Sequence, residues 1–111
     1  MQQAKAITKY VRISPRKARL AAGLIRGNEV ELAMQTLAFS PLKGSTLLRK
    51  TLMSAIANAE TNLGVQRRDL VVQEVRVDEG PTMKRAKSKS KGGRVPVMKR
   101  MSHFTVVVGA K

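Results

Sequence analysis

A run of positive charge between two valine-rich segments is the feature that most constrains how this chain folds. Residues 83–100 contain eight lysines and arginines and no aspartate or glutamate. Residues 70–77 before the run and residues 102–108 after it have the β-branched composition of strands. The chain's Gly92-Gly93 pair lies near the middle of the run, as a hairpin turn requires. The sequence therefore predicts a basic β-hairpin arm.

The rest of the chain predicts a two-layer α+β body. Residues 4–13 read as a strand, with Ile7, Val11 and Ile13 in one phase. Three helical segments follow before the valine-rich strands, so we expect three helices on a three-stranded antiparallel sheet, with a long protruding basic β-hairpin arm. The predicted organisation is a single domain over residues 1–111. Its globular body comprises residues 1–77 and 102–111, and its extended arm comprises residues 78–101.

Local signals predict where the helices begin and end. Ser14-Pro15 has the residues of an N-cap and a first helical position, and Ser40-Pro41 repeats that signal. Asn28 and Glu31 have the spacing of a capping box. The long third helix is predicted to run to about residue 61, with Asn62 or Gly64 ending it.

The predicted core consists of the apolar positions of these elements. On the first helix Leu20, Ala21, Leu24 and Ile25 share one face. Both phenylalanines are also expected inside. The other expected core positions are Val30, Ala33, Met34, Leu37, Leu48, Leu52, Ile56, Val75 and Val106.

The charge balance indicates a polyanionic partner. The chain has 22 lysines and arginines against 7 acids, a formal net charge of +15, and self-repulsion of this size destabilises a compact state unless a polyanion neutralises it. All the acids lie between Glu29 and Glu79, so both ends of the chain are purely basic. Arg16, Lys17 and Arg19 fall at the start of a predicted helix, where cations oppose the helix dipole unless an anion binds. We therefore predict contact with nucleic acid.

The chain has few residues with catalytic chemistry. Cysteine is absent, His103 is the single histidine, and the Asp78-Glu79 pair has no third acid near it in sequence. There is no phosphate-cradling Gly-Lys-Ser/Thr loop. The sequence therefore predicts no enzyme, no cofactor and no metal site. Because aromatic residues make up only 3% of the chain, nucleic-acid binding is expected to use phosphate and shape contacts by lysine and arginine.

Several strings together resemble one family. Residues 14–20 read Ser-Pro-Arg-Lys-Ala-Arg-Leu, residues 54–60 read Ser-Ala-Ile-Ala-Asn-Ala-Glu, and residues 77–81 read Val-Asp-Glu-Gly-Pro. With Lys84-Arg85, Lys99-Arg100 and Ser102-His103, these strings resemble the family of large-subunit ribosomal protein twenty-two over nearly the whole chain. The resemblance implies a structural constituent of the large ribosomal subunit that binds large-subunit rRNA and aids assembly. It also implies that the arm lines the nascent-peptide exit tunnel.

The resemblance also implies which molecules the chain binds, where in the cell it works and which residues make the contacts. The expected partners are several domains of large-subunit rRNA, other large-subunit ribosomal proteins including number four near the tunnel constriction, and the nascent peptide. No membrane partner is expected, and the implied location is the cytoplasmic ribosome. The tunnel-facing tip would be Lys89, Ser90, Lys91, Gly92, Gly93 and Arg94. The expected rRNA-binding residues are Arg12, Arg16, Lys17, Arg19, Lys84, Arg85, Lys87, Lys89, Lys91, Arg94, Lys99, Arg100 and His103.

Two other classes of protein fit the composition alone. An architectural DNA-binding protein also uses a basic β-arm, and Pro96 with a neighbouring valine has the character of an apolar wedge. A membrane-binding cationic protein would need a basic amphipathic helix with Trp, Phe or Leu anchors, and the chain has no Trp. No run approaches the roughly 18 apolar residues of a membrane span, and residues 1–10 have no secretory signal.

Overall fold

The computed structural model of the protein describes residues 3–88 and 94–110. Within these residues the chain forms three α-helices, a short 3-10 turn at Arg67–Asp69 and five strands. In chain order the helices and strands are β1 (Gln3–Val11), α1 (Pro15–Ile25), α2 (Val30–Phe39), α3 (Lys43–Leu63), β2 (Leu70–Glu79), β3 (Met83–Ser88), β4 (Arg94–Lys99) and β5 (Ser102–Ala110).

The body is a three-stranded antiparallel sheet with the order β1-β5-β2. α3 packs on β1 and β5, while α1 and α2 pack on β2 and on α3. Phe104, Val106 and Val108 of the central strand are wholly buried under these helices. The predicted α+β fold, with three helices and three antiparallel strands, is confirmed.

A bulge near the end of β1 changes which side of the strand faces the core. The pairing of β1 with β5 shifts between Thr8 and Val11, and Tyr10 has a left-handed φ of 59°. Before the bulge Ala6 is buried and Ile7 is 51% exposed, whereas after it Val11 is buried. The prediction that Ile7 shares a phase with Val11 and Ile13 was therefore wrong, because one extra residue reverses the alternation of side chains.

The outer edge of β2 is covered by the chain itself. The backbone of Val72 exchanges hydrogen bonds with Gly27 and Asn28, in the connection between α1 and α2. Arg26 Nη2 donates to the Val75 carbonyl at 2.7 Å, and Arg19 donates through Nε and Nη2 to the Val77 carbonyl at 3.3 and 3.1 Å. These contacts occupy backbone groups that an open edge strand would offer to another chain.

The helix signals were only partly correct. Ser14 caps α1 as predicted, accepting a hydrogen bond from the Lys17 N–H at 3.4 Å, and Gly64 ends α3 with a φ of 67°. Asn28 does not begin α2: its side chain donates to the Leu24 carbonyl at 3.0 Å and so closes α1. α3 begins two residues after Pro41, because Ser40 accepts from the Leu42 N–H and forms a turn first.

The core largely matches the predicted set, although Met34 is only partly buried and three other members are exposed. Leu48, Leu52, Ile56, Val75 and Val106 are all buried, as are Val30, Ala33 and Leu37. Phe39, at the last residue of α2, is 87% exposed, and Leu20 and Leu24 are 62% and 42% exposed. α1 instead buries its alanines, Ala18, Ala21 and Ala22, with Ile25. The reason is close helix packing: a Cβ on Gly44 of α3 would lie 3.4 Å from Ala21 Cβ.

β3 and β4 form a separate two-stranded antiparallel ladder. The register runs from Met83 opposite Lys99 to Ser88 opposite Arg94. β2 continues to Glu79 before the ladder begins, with Glu79 opposite Ser102. The predicted tip residues 89–93 lie outside the described residues, and the length and projection of the arm stay predictions. No helix in the described part of the chain is both long and apolar enough to cross a membrane.

The two phenylalanines provide a matched test of this packing. Replacing buried Phe104 with alanine should reduce the free energy of unfolding by about 3–5 kcal/mol, through lost burial and the cavity left behind. Replacing exposed Phe39 with alanine should change it by less than about 0.5 kcal/mol. Urea denaturation of both variants measures the difference, and equal destabilisation would contradict the placement of Phe39 at the surface.

Candidate nucleic-acid interface

A cavity of about 740 Å³ opens on the body where three segments meet. One wall comes from the connection between β1 and α1 and from the first half of α1, at residues 12–14, 17 and 20. The facing wall comes from the start of α3, at residues 42–44, and Arg100 closes the cavity just before β5. The cavity thus lies where two helices begin and where the chain returns from the hairpin.

Four cationic side chains surround this cavity: those of Arg12, Lys17, Lys43 and Arg100. Lys43 Nζ donates to the Arg12 carbonyl at 3.4 Å, which joins the wall from α3 to the wall from β1. Among the described residues that line the cavity, none is acidic. The first turns of α1 and α3 also contain no acid, so the positive ends of two helix dipoles add to the same field. The cavity is therefore strongly attractive to anions.

Apolar side chains share this cavity with the cations. Leu20 and Leu42 line it and are 62% and 37% exposed, and the buried Ile13 lines it as well. Gly44 completes the lining at the point where α1 and α3 approach closely. The cavity consequently offers an apolar surface within reach of positive charge.

His103 has a defined role at the root of the hairpin. Its Nδ1 accepts a hydrogen bond from the Tyr10 N–H at 3.1 Å, and the two rings meet edge to face with centroids 5.1 Å apart. In the neutral imidazole this contact assigns the ring proton to Nε2. His103 thus holds the left-handed Tyr10 of the bulge in place and keeps an Nε2–H donor for another partner.

Arg19 differs from the other predicted contact residues. Its guanidinium is bonded to the Val77 carbonyl by two N–H groups. An arginine has five N–H donors in a fixed fork, so part of this side chain is committed to the body. The structure therefore gives Arg19 a role in holding α1 on β2.

Two acids of the body form ion pairs away from the cavity. Glu60 meets Arg67 at 3.3 Å and Glu74 meets Arg76 at 3.1 Å. All four side chains are about half exposed, so each pair contributes little to stability. Neither pair includes a residue that lines the cavity.

The structure brings only some of the predicted residues together. Arg12, Lys17 and Arg100 meet at the cavity, while Arg16 is exposed beside them on the first turn of α1. Lys84, Arg85 and Lys87 belong to β3, and Arg94 and Lys99 belong to β4. Lys89 and Lys91, with Ser90, Gly92 and Gly93 of the predicted tip, lie outside the described residues.

Lys43 was not predicted, although it lines the cavity. It is isolated in sequence, because no other cation lies between Arg26 and Arg49. The signal that could have identified it is the one that identified Arg16 and Lys17: a cation in the first turn of a helix without an acid. The predicted start at Ser40-Pro41 already placed Lys43 in the first turn, as Ser14-Pro15 places Lys17, but a lone cation there was not singled out.

Comparison with known proteins gives consistent relatives over nearly the full length. Residues 6–109 match the model of the family described as ribosomal protein L22p/L17e. The chain is 68% identical over 108 residues to the large ribosomal subunit protein uL22 of Protochlamydia amoebophila, covering 97% of each chain. It is 58% and 59% identical to the proteins of the same name from Chlamydia muridarum and Chlamydia abortus, over 107 residues and 96% of each chain.

A binding experiment should distinguish the role of Arg19 from the roles of Arg16 and Lys17, its neighbours on α1. The double variant R16Q/K17Q should flatten the log–log salt dependence of affinity for large-subunit rRNA by roughly 1.5 units, since two phosphate contacts are lost. The variant R19Q should leave that slope nearly unchanged and instead reduce the free energy of unfolding by about 1 kcal/mol. Filter binding at several salt concentrations, with urea denaturation of each variant, measures both effects. An unchanged slope in R16Q/K17Q would mean that these two cations are only solvated.

Proposed function

This chain belongs to the ribosomal protein L22p/L17e family, and on that premise we propose that it holds large-subunit rRNA at two separate places. As a member of the family it is a structural constituent of the large ribosomal subunit, and members are structural components rather than enzymes. The first place is the cavity bounded by α1 and α3. The second is the ladder of β3 and β4 together with residues 89–93 between them in sequence.

The observation that carries the proposal is the convergence of cations at the cavity. Arg12, Lys17 and Lys43 come from the end of β1, α1 and α3, and Arg100 comes from the far side of the hairpin. Four like charges this close together repel each other, so the arrangement is unfavourable unless an anion is bound. The phosphate backbone of RNA supplies such anions in a row.

The hairpin is proposed to carry the second contact and to line the exit tunnel. Lys84, Arg85 and Lys87 on one strand are joined by Arg94 and Lys99 on the other, and no acid occurs after Glu79. β3 and β4 pair with each other and not with the body sheet. In this proposal residues 89–94 face the tunnel, near ribosomal protein number four and the nascent peptide.

Sedimentation tests the assignment to the ribosome directly. The full chain with a small tag should migrate with the large subunit on a sucrose gradient and remain there after a wash that removes loosely bound basic proteins. The control is the same experiment with added duplex DNA as competitor, because an architectural DNA-binding protein would leave the subunit for the DNA. Such a transfer would contradict the proposal.

Deleting residues 83–85 tests the hairpin separately from the body. Removing three residues from β3 shifts it by an odd number against β4 and reverses the side chains beyond the cut. The tip should move within purified subunits, as a density map would show. The thermal midpoint of the isolated variant should change by less than about 4 °C, because the buried core lies outside the deletion.

The matched control for the deletion is K84Q/R85Q, which removes the same two charges and keeps the register. It should leave the tip where it is. A tip that moves equally in both variants, or that moves in neither, would mean that the ladder does not transmit register to the tip.

A further inference from the structure

We propose that the cavity between the starts of α1 and α3 takes one unstacked nucleotide of the bound RNA. In this arrangement the base lies against Leu20 and Leu42, and the neighbouring phosphates lie on the surrounding cations. The inference rests on the proposed function, because it specifies what part of the RNA this site holds. It goes beyond a phosphate contact, which needs no apolar wall.

The apolar wall is the first reason for this proposal. Leu20 and Leu42 are 62% and 37% exposed beside four cations, and both line the cavity. If the site held only phosphates, these two side chains would stay in water with nothing to cover them. The face of a nucleobase is flat and apolar, and its edges and sugar-phosphate are polar. A nucleotide therefore matches both parts of the lining at once.

The shape of the site is the second reason. The cavity is a cleft that is open to solvent, and its volume of about 740 Å³ is in the range of sites that take small molecules. The bases of an RNA double helix are stacked inside it, and the helix presents a convex surface that cannot enter a cavity. Single-stranded loops and bulges can extrude a base into a cavity. The lining thus fits an extruded nucleotide and not a paired one.

The arginines around the cavity are the third reason. Arg12 and Arg100 both line it, and a guanidinium plane stacks on a base as well as pairing with phosphate. The chain has few aromatic residues for this purpose, and neither Phe39 nor Phe104 lines the cavity. Lys43 donates to the Arg12 carbonyl at 3.4 Å and so connects the two walls between which the base would lie.

The test uses the full chain and two RNA hairpins of equal length. One carries a single bulged 2-aminopurine, and the other has the same base paired in the stem. We expect the chain to bind the bulged hairpin about 5- to 10-fold more tightly, a ratio at the lower end of what one stacked base contributes. Bound 2-aminopurine should also be protected from quenching by acrylamide.

The double variant L20S/L42S removes the apolar wall and leaves every charge in place. It should lose the preference for the bulge and the protection from acrylamide, while its affinity for the paired hairpin and its salt slope stay unchanged. The matched control is L24S/L32S, which replaces two leucines that are 42% and 52% exposed and that do not line the cavity. This control should keep the preference.

Because Leu42 is also the N-cap residue of α3, where serine is a preferred residue, L42S also alters the cap; the single variant L20S leaves the cap unchanged and serves as well if the double variant does not fold. A preference for the bulge that survives in L20S would overturn the inference, as would equal binding of both hairpins by the unmodified chain. In either case the proposed function stands if R16Q/K17Q still flattens the salt slope. Failure of the unmodified chain to bind either hairpin or rRNA would overturn both.

Discussion

The whole fold depends on the register of β5 between its two neighbours. β5 pairs with β1 on one side and with β2 on the other, and its Phe104, Val106 and Val108 are wholly buried. The chain leaves this sheet at the end of β2 and returns at the start of β5. The hairpin therefore continues from two strands that are already paired, which gives it a fixed root even though two strands alone are marginally stable.

The positive charges divide between two tasks according to their place on the fold. Arg19 and Arg26 are seven residues apart, which places them on the same side of a helix, and both reach carbonyl groups along the edge of β2. Lys17 lies on a different side of α1 and faces the cavity. Equal charges in one basic segment thus have different surroundings: Arg19 and Arg26 bond to the body, and Lys17 faces the cavity.

Features fixed by neighbours in sequence were predictable, and features fixed by distant residues were not. Ser14 and Gly64 were correctly assigned because a cap depends on the local backbone. The reversed phase of β1 could not be read from its sequence, because the bulge at Tyr10 is held by His103 from the other end of the chain. Arg12, Lys17 and Arg100 were among the expected rRNA contacts, but that they line one cavity could be learned only from the fold.

The error at Leu20 follows from the same physics as the proposed site. Helical periodicity assigns a leucine to the core because exposing it to water is unfavourable. α1 satisfies its packing with alanines against Gly44, and this close approach leaves Leu20 outside, beside Lys17 and Arg100. An exposed leucine leaves apolar surface in water, and clustered cations repel each other. In the proposed arrangement one bound nucleotide covers the leucine with its base and neutralises the cations with its phosphates. A binding partner is expected at a site where several features are unfavourable in the isolated chain.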